Sequence, residues 1–289
     1  MRFGVSSYSF SQKINAGEMT QLDTVKAAKE LGFDCIEFTE IKPHDGSTQL
    51  EYAAKIREEA KKVGICVNCY TIAANFAVDT DEELQAEVER MKGQVDVAEA
   101  LGVSLMRQDS MRGLGNYRSF DQALPMLAKG VRAVCEYAET KGIRTMVENH
   151  GFVAQDSDRV ERLFNAVNHK NFGLLIDMGN FACVDEDSVS AVSRLAPYAF
   201  HAHAKDFTKI PFDKITPATL GILTRGCNML KGCTIGHGVI PVKQCIKILN
   251  RADYQGDLSI EYEGVADCMK GIAEGLANLK TYVKELGIE

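Results

Sequence analysis

Four times in the first half of the chain, a helical pattern stops at a glycine and an apolar, β-rich run begins at once: KELGFDCIEF, KKVGICVNCY, EALGVSLMRQ and ETKGIRTMVE. Glycine adopts the left-handed backbone that ends a helix without steric cost, so this junction marks a helix returning directly into a strand. Marking every comparable apolar run gives eight candidate strands: Arg2–Ser6, Phe33–Phe38, Ile65–Tyr70, Ser104–Gln108, Arg144–Glu148, Phe172–Asp177, Ala199–Ala204 and Leu258–Tyr262. Helical periodicity fills the stretches between them. Leu22, Val25, Ala28 and Leu31 recur every third position, and Leu84–Leu101 and Ala123–Ala138 behave alike. The strands are nearly continuously apolar, as in a parallel sheet buried on both faces.

Eight strands alternating with helices predict an α/β fold, a (β/α)8 TIM barrel. A doubly wound open sheet is the competing arrangement, but no glycine fingerprint follows the first strand. Such barrels typically need about 250 residues. The 289 residues here are therefore expected to form one domain, 1–289, with a long loop insertion at about 207–239. That segment holds Pro211, Pro217 and several glycines, and Thr216–Thr224 is expected to supply a short helix. A connection of this length usually covers a functional site.

The net charge of −7 is a poor basis for gripping a phosphate backbone, so nucleic acid is not an expected partner. No apolar run is long enough to span a membrane, and the N-terminus lacks the apolar core of a signal peptide. A soluble, cytoplasmic protein is expected. The nine cysteines are odd in number and sit mostly in apolar segments, which suits free thiols in a reducing compartment. Cys66 and Cys69 form a CxxC, but within a strand they point to opposite faces.

In this barrel class the chemistry sits at the C-terminal strand ends. Those ends read MVENH (Glu148, His150), LLIDMGN (Asp177, Asn180), HAHAKD (His201, His203, Lys205, Asp206) and LSIEYEG (Glu261, Glu263). Carboxylates directly after apolar strings would carry a large desolvation penalty unless paired, and a divalent cation among them removes it. Three carboxylates and one imidazole suit Mn²⁺, Mg²⁺ or Co²⁺ better than structural Zn²⁺. Strand parity puts Glu148 with His150, His201 with His203, and Glu261 with Glu263 on shared faces. His169 reads as a helix-end residue and His44 as a loop residue; Met106, Met111 and Met126 read as packing. Lys205 and Asp206 fit a structural ion pair and a substrate contact equally well.

The wording of IEF, MVENH, IDMGN, HAHAKD, the GHG turn and GDLSIEYEG resembles the sugar phosphate isomerase/epimerase family. These are xylose-isomerase-like barrels that include ketose 3-epimerases, inosose dehydratases and endonuclease-type relatives. The resemblance covers essentially the whole chain, with motifs specific for the superfamily and loose for the reaction. It implies one divalent ion, Mn²⁺ first and Mg²⁺, Co²⁺ or Zn²⁺ as alternatives, held by Glu148, Asp177, His203 and Glu261. It further implies that Glu148 and Glu261 exchange protons with a carbon beside a carbonyl, giving a metal-dependent sugar isomerase or epimerase that works through an enediolate. His150 becomes an additional acid–base group, and Asn180, Lys205, His237 and His201 become substrate contacts. The substrate class is a small sugar or polyol derivative. A homo-oligomer is expected, and a hetero-oligomer stays open.

Two departures from the ketose-epimerase pattern are visible. Asn180 stands where that branch tends to place a substrate-binding His, and Thr208 and Lys209 occupy the region of an expected Arg. Together with His150, they keep open a metal-dependent dehydratase or β-eliminating lyase acting on a keto-sugar, keto-glycoside or cyclitol. The endonuclease branch needs more His ligands; the strand ends NCYTIAA and MRQDSM carry none.

Overall fold

The helix-to-glycine junctions are built as the pattern requires. In the computed structural model, which describes residues 1–288, Gly32, Gly64 and Gly102 end three helices with φ of 88°, 71° and 78°. The same helices begin at Thr20, Thr48 and Thr80. Each threonine accepts the amide of an acidic residue three positions on, whose carboxylate binds back to the cap. These reciprocal boxes satisfy amides that a helix start leaves free.

The strands are β1 (Phe3–Ser6), β2 (Cys35–Thr39), β3 (Cys66–Ile72), β4 (Leu105–Gln108), β5 (Arg144–Glu148), β6 (Phe172–Asp177), β7 (Ala199–Ala204), β8 (Asp206–Ile210), β9 (Ile222–Leu223), β10 (Met229–Cys233) and β11 (Leu258–Ile260). The helices are α1 (Ser11–Asn15), α2 (Gln21–Leu31), α3 (Gln49–Val63), α4 (Asp81–Leu101), α5 (Phe120–Thr140), α6 (Ser157–Val167), α7 (Ser188–Leu195), α8 (Val242–Arg251) and α9 (Cys268–Glu285). β1 to β7 and β11 close a barrel of eight parallel strands, and every expected strand lies within it. The main apolar core joins outward strand residues such as Val5, Ile36, Phe38 and Ile176 to the helices. A second, smaller cluster of Cys69, Leu105, Met146 and Leu175 has the strand parity of the site residues and plugs the barrel interior.

The segment after β7 is ordered differently from expectation. β8, β10 and β9 form an antiparallel sheet of three strands. The helix expected over Thr216–Thr224 is absent. Thr216 donates its amide to Thr219 Oγ1 at a turn, and Ile222 and Leu223 pair with Leu230 and Met229. A proline at the turn and β-branched Ile222 beside a free strand edge favour this over an isolated helical turn. Asp185, just after β6, ties the sheet to the barrel by accepting from Gly226 N at 2.6 Å, Lys209 Nζ at 2.9 Å and Asn228 Nδ2 at 3.0 Å.

Candidate metal centre and active-site cavity

Register brings the polar strand ends into one layer. Asp177 of β6 pairs directly with His203 of β7, and Ser259 of β11 pairs with His203 on the other side, two residues before Glu261. Glu148 closes β5. From His203 Nδ1 the distances are 3.6 Å to Glu261 Oε2, 3.7 Å to Asp177 Oδ2 and 4.0 Å to Glu148 Oε1. The four ligand atoms lie within 4.8 Å of one another. Ligands about 2.1 Å from a common octahedral ion stand roughly 3.0–4.2 Å apart, so this spacing fits a divalent cation.

Local structure prepares the set. The IDMGN turn makes Asp177 Oδ1 accept from the amides of Gly179 at 2.8 Å and Asn180 at 2.9 Å, which leaves Oδ2 turned to the cluster, where the Lys205 ammonium approaches it at 3.2 Å. Asn149 locks the neighbouring strand end: its amide donates to Asp177 O and its carbonyl accepts from Asp177 N, both at 2.9 Å. A Cβ at Gly179 would stand 3.0 Å from the Lys205 Cβ and 3.1 Å from its carbonyl oxygen, so the turn leaves little room for a side chain. Asn180 Nδ2 donates to Glu148 Oε1 at 2.8 Å.

Two buried cations share these carboxylates. Lys205 Nζ lies 2.6 Å from Glu261, 3.2 Å from Asp177 and 3.2 Å from Glu263. Arg107 Nη2 lies 2.7 Å from Glu148 and 2.8 Å from Asp109, and His150 Nδ1 lies 3.0 Å from the same Asp109 carboxylate. Burial pushes the Glu148 carboxyl above its usual range, against the pull of Arg107. Glu261 is equally disfavoured by burial, but Lys205 and His203 hold it well below that range. Burial works against a charged His203, yet Glu37, Asp177 and Glu261 raise it. Six carboxylates (Glu37, Asp109, Glu148, Asp177, Glu261 and Glu263) thus share two permanently charged side chains, Lys205 and Arg107, an imbalance that a divalent cation would reduce.

The cluster opens into a cavity of about 740 Å³ whose walls include Glu148, His150, Asn180, His203, Lys205 and Glu261. The structure does not bring two expected contacts to this wall. His201 lies one strand step below His203, fully buried, with Nε2 2.7 Å from Glu37 Oε2. His237 is on the outside, 3.1 Å from Glu274 of α9. Asp206, left ambiguous by its sequence, is structural: its carboxylate accepts from the amides of Phe207, Gly236, Gly238 and Ile240. The GHG turn is therefore a carboxylate nest that Asp206 already fills. His44, expected as a loop residue, lines the cavity with Nδ1 2.9 Å from Tyr52 Oη.

Sequence reasoning missed Glu37, Arg107 and Asp109. Each was signalled by a charged residue at the end of a barrel strand, in CIEF and in MRQDS, where a solvated face is not available.

Comparisons with known proteins agree with this architecture. The family described as Xylose isomerase-like TIM barrel matches residues 25–282. The inosose dehydratase of Clostridium beijerinckii is 25% identical over 150 residues, covering 52% of this chain and 50% of that protein. The chain spans about half the length of the curated relatives it matches. A D-tagatose 3-epimerase-like protein superposes with a TM-score of 0.72 at 19% identity, covering 99% of this chain and 98% of the other. A xylose isomerase-like TIM barrel protein from Mycobacterium smegmatis, in complex with magnesium, superposes with a TM-score of 0.68 at 19% identity, covering 92% and 88%.

Proposed function

Because the chain belongs to the xylose isomerase-like TIM barrel family, we propose that it is a divalent-metal-dependent isomerase or epimerase of a sugar or polyol derivative, acting by proton abstraction beside a carbonyl through an enediolate. The observation that carries this reading is the convergence of Glu148, Asp177, His203 and Glu261 on one ion-sized space at the cavity floor. When bound there, a divalent cation supplies Lewis acidity to a carbonyl oxygen, which makes the neighbouring C–H acidic enough to be removed. A mostly oxygen donor set favours Mn²⁺, with Mg²⁺ and Co²⁺ next and Zn²⁺ last; the magnesium complex of the Mycobacterium smegmatis protein is in keeping with this class of ion.

Glu148 and Glu261 serve as the acid–base pair. One carboxylate takes the proton from the substrate carbon and the other returns one from the opposite face. Lys205, 3.2 Å from Asn180 Oδ1, offers a buried ammonium to a substrate oxygen, and Asn180 offers its amide beside Glu148. Charge on the substrate oxygen is thereby met by donors already fixed in place.

A second reading, β-elimination, is favoured by the Asp109–His150 contact. Asp109 fixes Nδ1, which leaves Nε2 as the ring atom able to protonate a departing hydroxyl. The curated relatives named inosose dehydratase point the same way. No helix among the described residues is long and apolar enough to cross a membrane. With all nine cysteines free, a reducing cytoplasm and a small-molecule role, in a homo-oligomer, complete the proposal.

The test is exchange in D₂O. Metal-loaded protein is incubated with a panel of ketoses, keto-glycosides and inososes. Deuterium in a recovered isomer supports epimerisation, whereas loss of water or aglycone supports elimination. No exchange with any candidate, together with an unchanged metal content in Glu148→Gln, overturns the site.

A further inference from the structure

Beneath the proposed metal cluster lies a fully buried carboxylate with no assigned task. Glu37, on β2, has both oxygens against imidazoles: Oε2 accepts from His201 Nε2 at 2.7 Å, and Oε1 lies 2.8 Å from His203 Nε2. All three side chains are at most 1% exposed. The His201 contact is a well-formed hydrogen bond. The His203 contact has hydrogen-bond length but falls outside hydrogen-bond geometry, and neither of its two atoms has any other partner, so each is the other's nearest available one.

Glu37, His201 and His203 carry ligand-type atoms close enough to suggest a second ion site. The spacing argues otherwise. Their N···O separations of 2.7 and 2.8 Å are hydrogen-bond lengths. Ligands of one ion at ~2.1 Å stand no closer than roughly 3.0 Å. The upper group, at 3.6–4.0 Å from His203 Nδ1, leaves room for an ion; the lower group leaves room for a proton.

We infer that Glu37 is the positioning residue of the metal centre: it binds the Nε2–H of His203, keeps the Nδ1 lone pair turned to Glu148, Asp177 and Glu261, and is itself fixed by His201. The imidazole would otherwise have two equivalent ring nitrogens and a free flip about its side chain. A carboxylate on the far nitrogen removes both freedoms and makes the near nitrogen a better donor. His201 completes the device by taking the second oxygen of Glu37, so the carboxylate cannot rotate away. The burial of His201 and its distance from the cavity wall follow from that role. This inference rests on the metal-binding reading above.

The experiment reads metal binding directly. Protein stripped with a chelator is titrated with Co²⁺, and the visible d–d absorption and a competition titration give the affinity. Glu37→Gln keeps the shape but removes the charge, and is expected to weaken Co²⁺ binding by about 10–100-fold. His201→Gln, which retains an N–H for Glu37, is expected to stay within a few-fold of the parent. Long-range ¹⁵N NMR of the unsubstituted Zn²⁺-loaded protein should show His203 protonated at Nε2, a readout independent of whether Glu37→Gln folds. A folded Glu37→Gln variant with parental Co²⁺ affinity, or a His203 proton on Nδ1, overturns the inference and leaves the proposed function standing. A parent protein that binds no Co²⁺ overturns the metal reading itself, and this inference with it.

Discussion

At the scale of single residues, Lys205 is the group most directly opposed to a bound cation. Its ammonium contacts Asp177 and Glu261, two of the proposed ligands, so it partly neutralises the oxygens a metal ion would use. Two unit charges about 4 Å apart interact by about 4 kcal/mol at an effective dielectric of 20. Lys205→Met is expected to tighten Co²⁺ binding by about tenfold while lowering turnover by at least about a hundredfold, since the substrate loses its nearest protein cation. Titration and steady-state rates on the same preparation check both halves; weaker metal binding in Lys205→Met would refute the competition. Phe152 makes a different kind of residue-scale case. Its φ of 66° is unusual for an aromatic residue, and the backbone is held there by Gln155 Oε1 at 2.5 Å on its amide and Arg225 Nη2 at 2.6 Å on its carbonyl. Phe152→Gly relieves that conformation at a 44% exposed side chain and is expected to stabilise the protein by about 1 kcal/mol, read from urea unfolding. Residues of this second kind were not legible in the sequence, and for Glu37 the sequence showed a charge in a barrel strand but not its partners. Parity places His201 and His203 on one face but is silent about depth, and one strand step of depth turned His201 from the cavity to Glu37.

At the scale of elements, the eight barrel strands were legible because the pattern repeats: helix, glycine, apolar run. The sheet of β8, β10 and β9 was not, since it forms from one strand that ends the pattern and two short runs without periodicity. Its attachment is built on two carboxylates that pair with backbone amides. Asp206 accepts four such amides around the GHG turn, a use of that turn no motif could show because the occupant comes from 30 residues upstream. Asp206→Asn sets N–H groups against N–H groups and is expected to cost about 2 kcal/mol in urea unfolding. Asp185 gives a pH dependence. Burial acts against its charge, but Thr224, Lys209, Gly226 and Asn228 lower it from the usual 3.8 to about 2. A lowered folded-state value means that the stabilisation is complete above the unfolded value, and it fades as pH falls through the folded one. The window is therefore about pH 4 to 2. Amide protection in β9 and β10, corrected for intrinsic exchange, should drop across that window in the parent and be flat in Asp185→Asn. An unchanged profile in the variant would show that the sheet is held by its own pairing.

At the scale of the whole molecule, the fold gathers like charge at one end of a closed barrel. Six carboxylates meet two cations in a buried layer, although the chain as a whole carries a net charge of only −7. Buried charges are poorly screened by salt, so their repulsion is a standing cost to the metal-free fold. An ion that binds this layer in the folded state and finds no such layer in the unfolded chain must shift unfolding by mass action. At a hundred times its dissociation constant it adds about 2.7 kcal/mol. For a chain of 289 residues that corresponds to a rise of about 4–5 °C in melting temperature. Mn²⁺ added to stripped protein should produce the rise, and a chelator should reverse it. Raising monovalent salt to an equivalent ionic strength should not reproduce it, because screening reaches surface pairs and leaves the barrel layer largely untouched. Asp177→Asn provides the decisive arm. It removes one negative ligand while the IDMGN turn can keep its two amide contacts through the remaining carbonyl oxygen, and because the new amide faces Lys205 the variant's own metal-free melting point is the baseline for its response. Its response to Mn²⁺ should shrink to a small fraction of the parental shift. Equal shifts in parent and variant would place the ion elsewhere on the molecule, and the charge layer would then be neutralised by protons on Glu148 and Glu263, the two carboxyls of the layer held above their usual range.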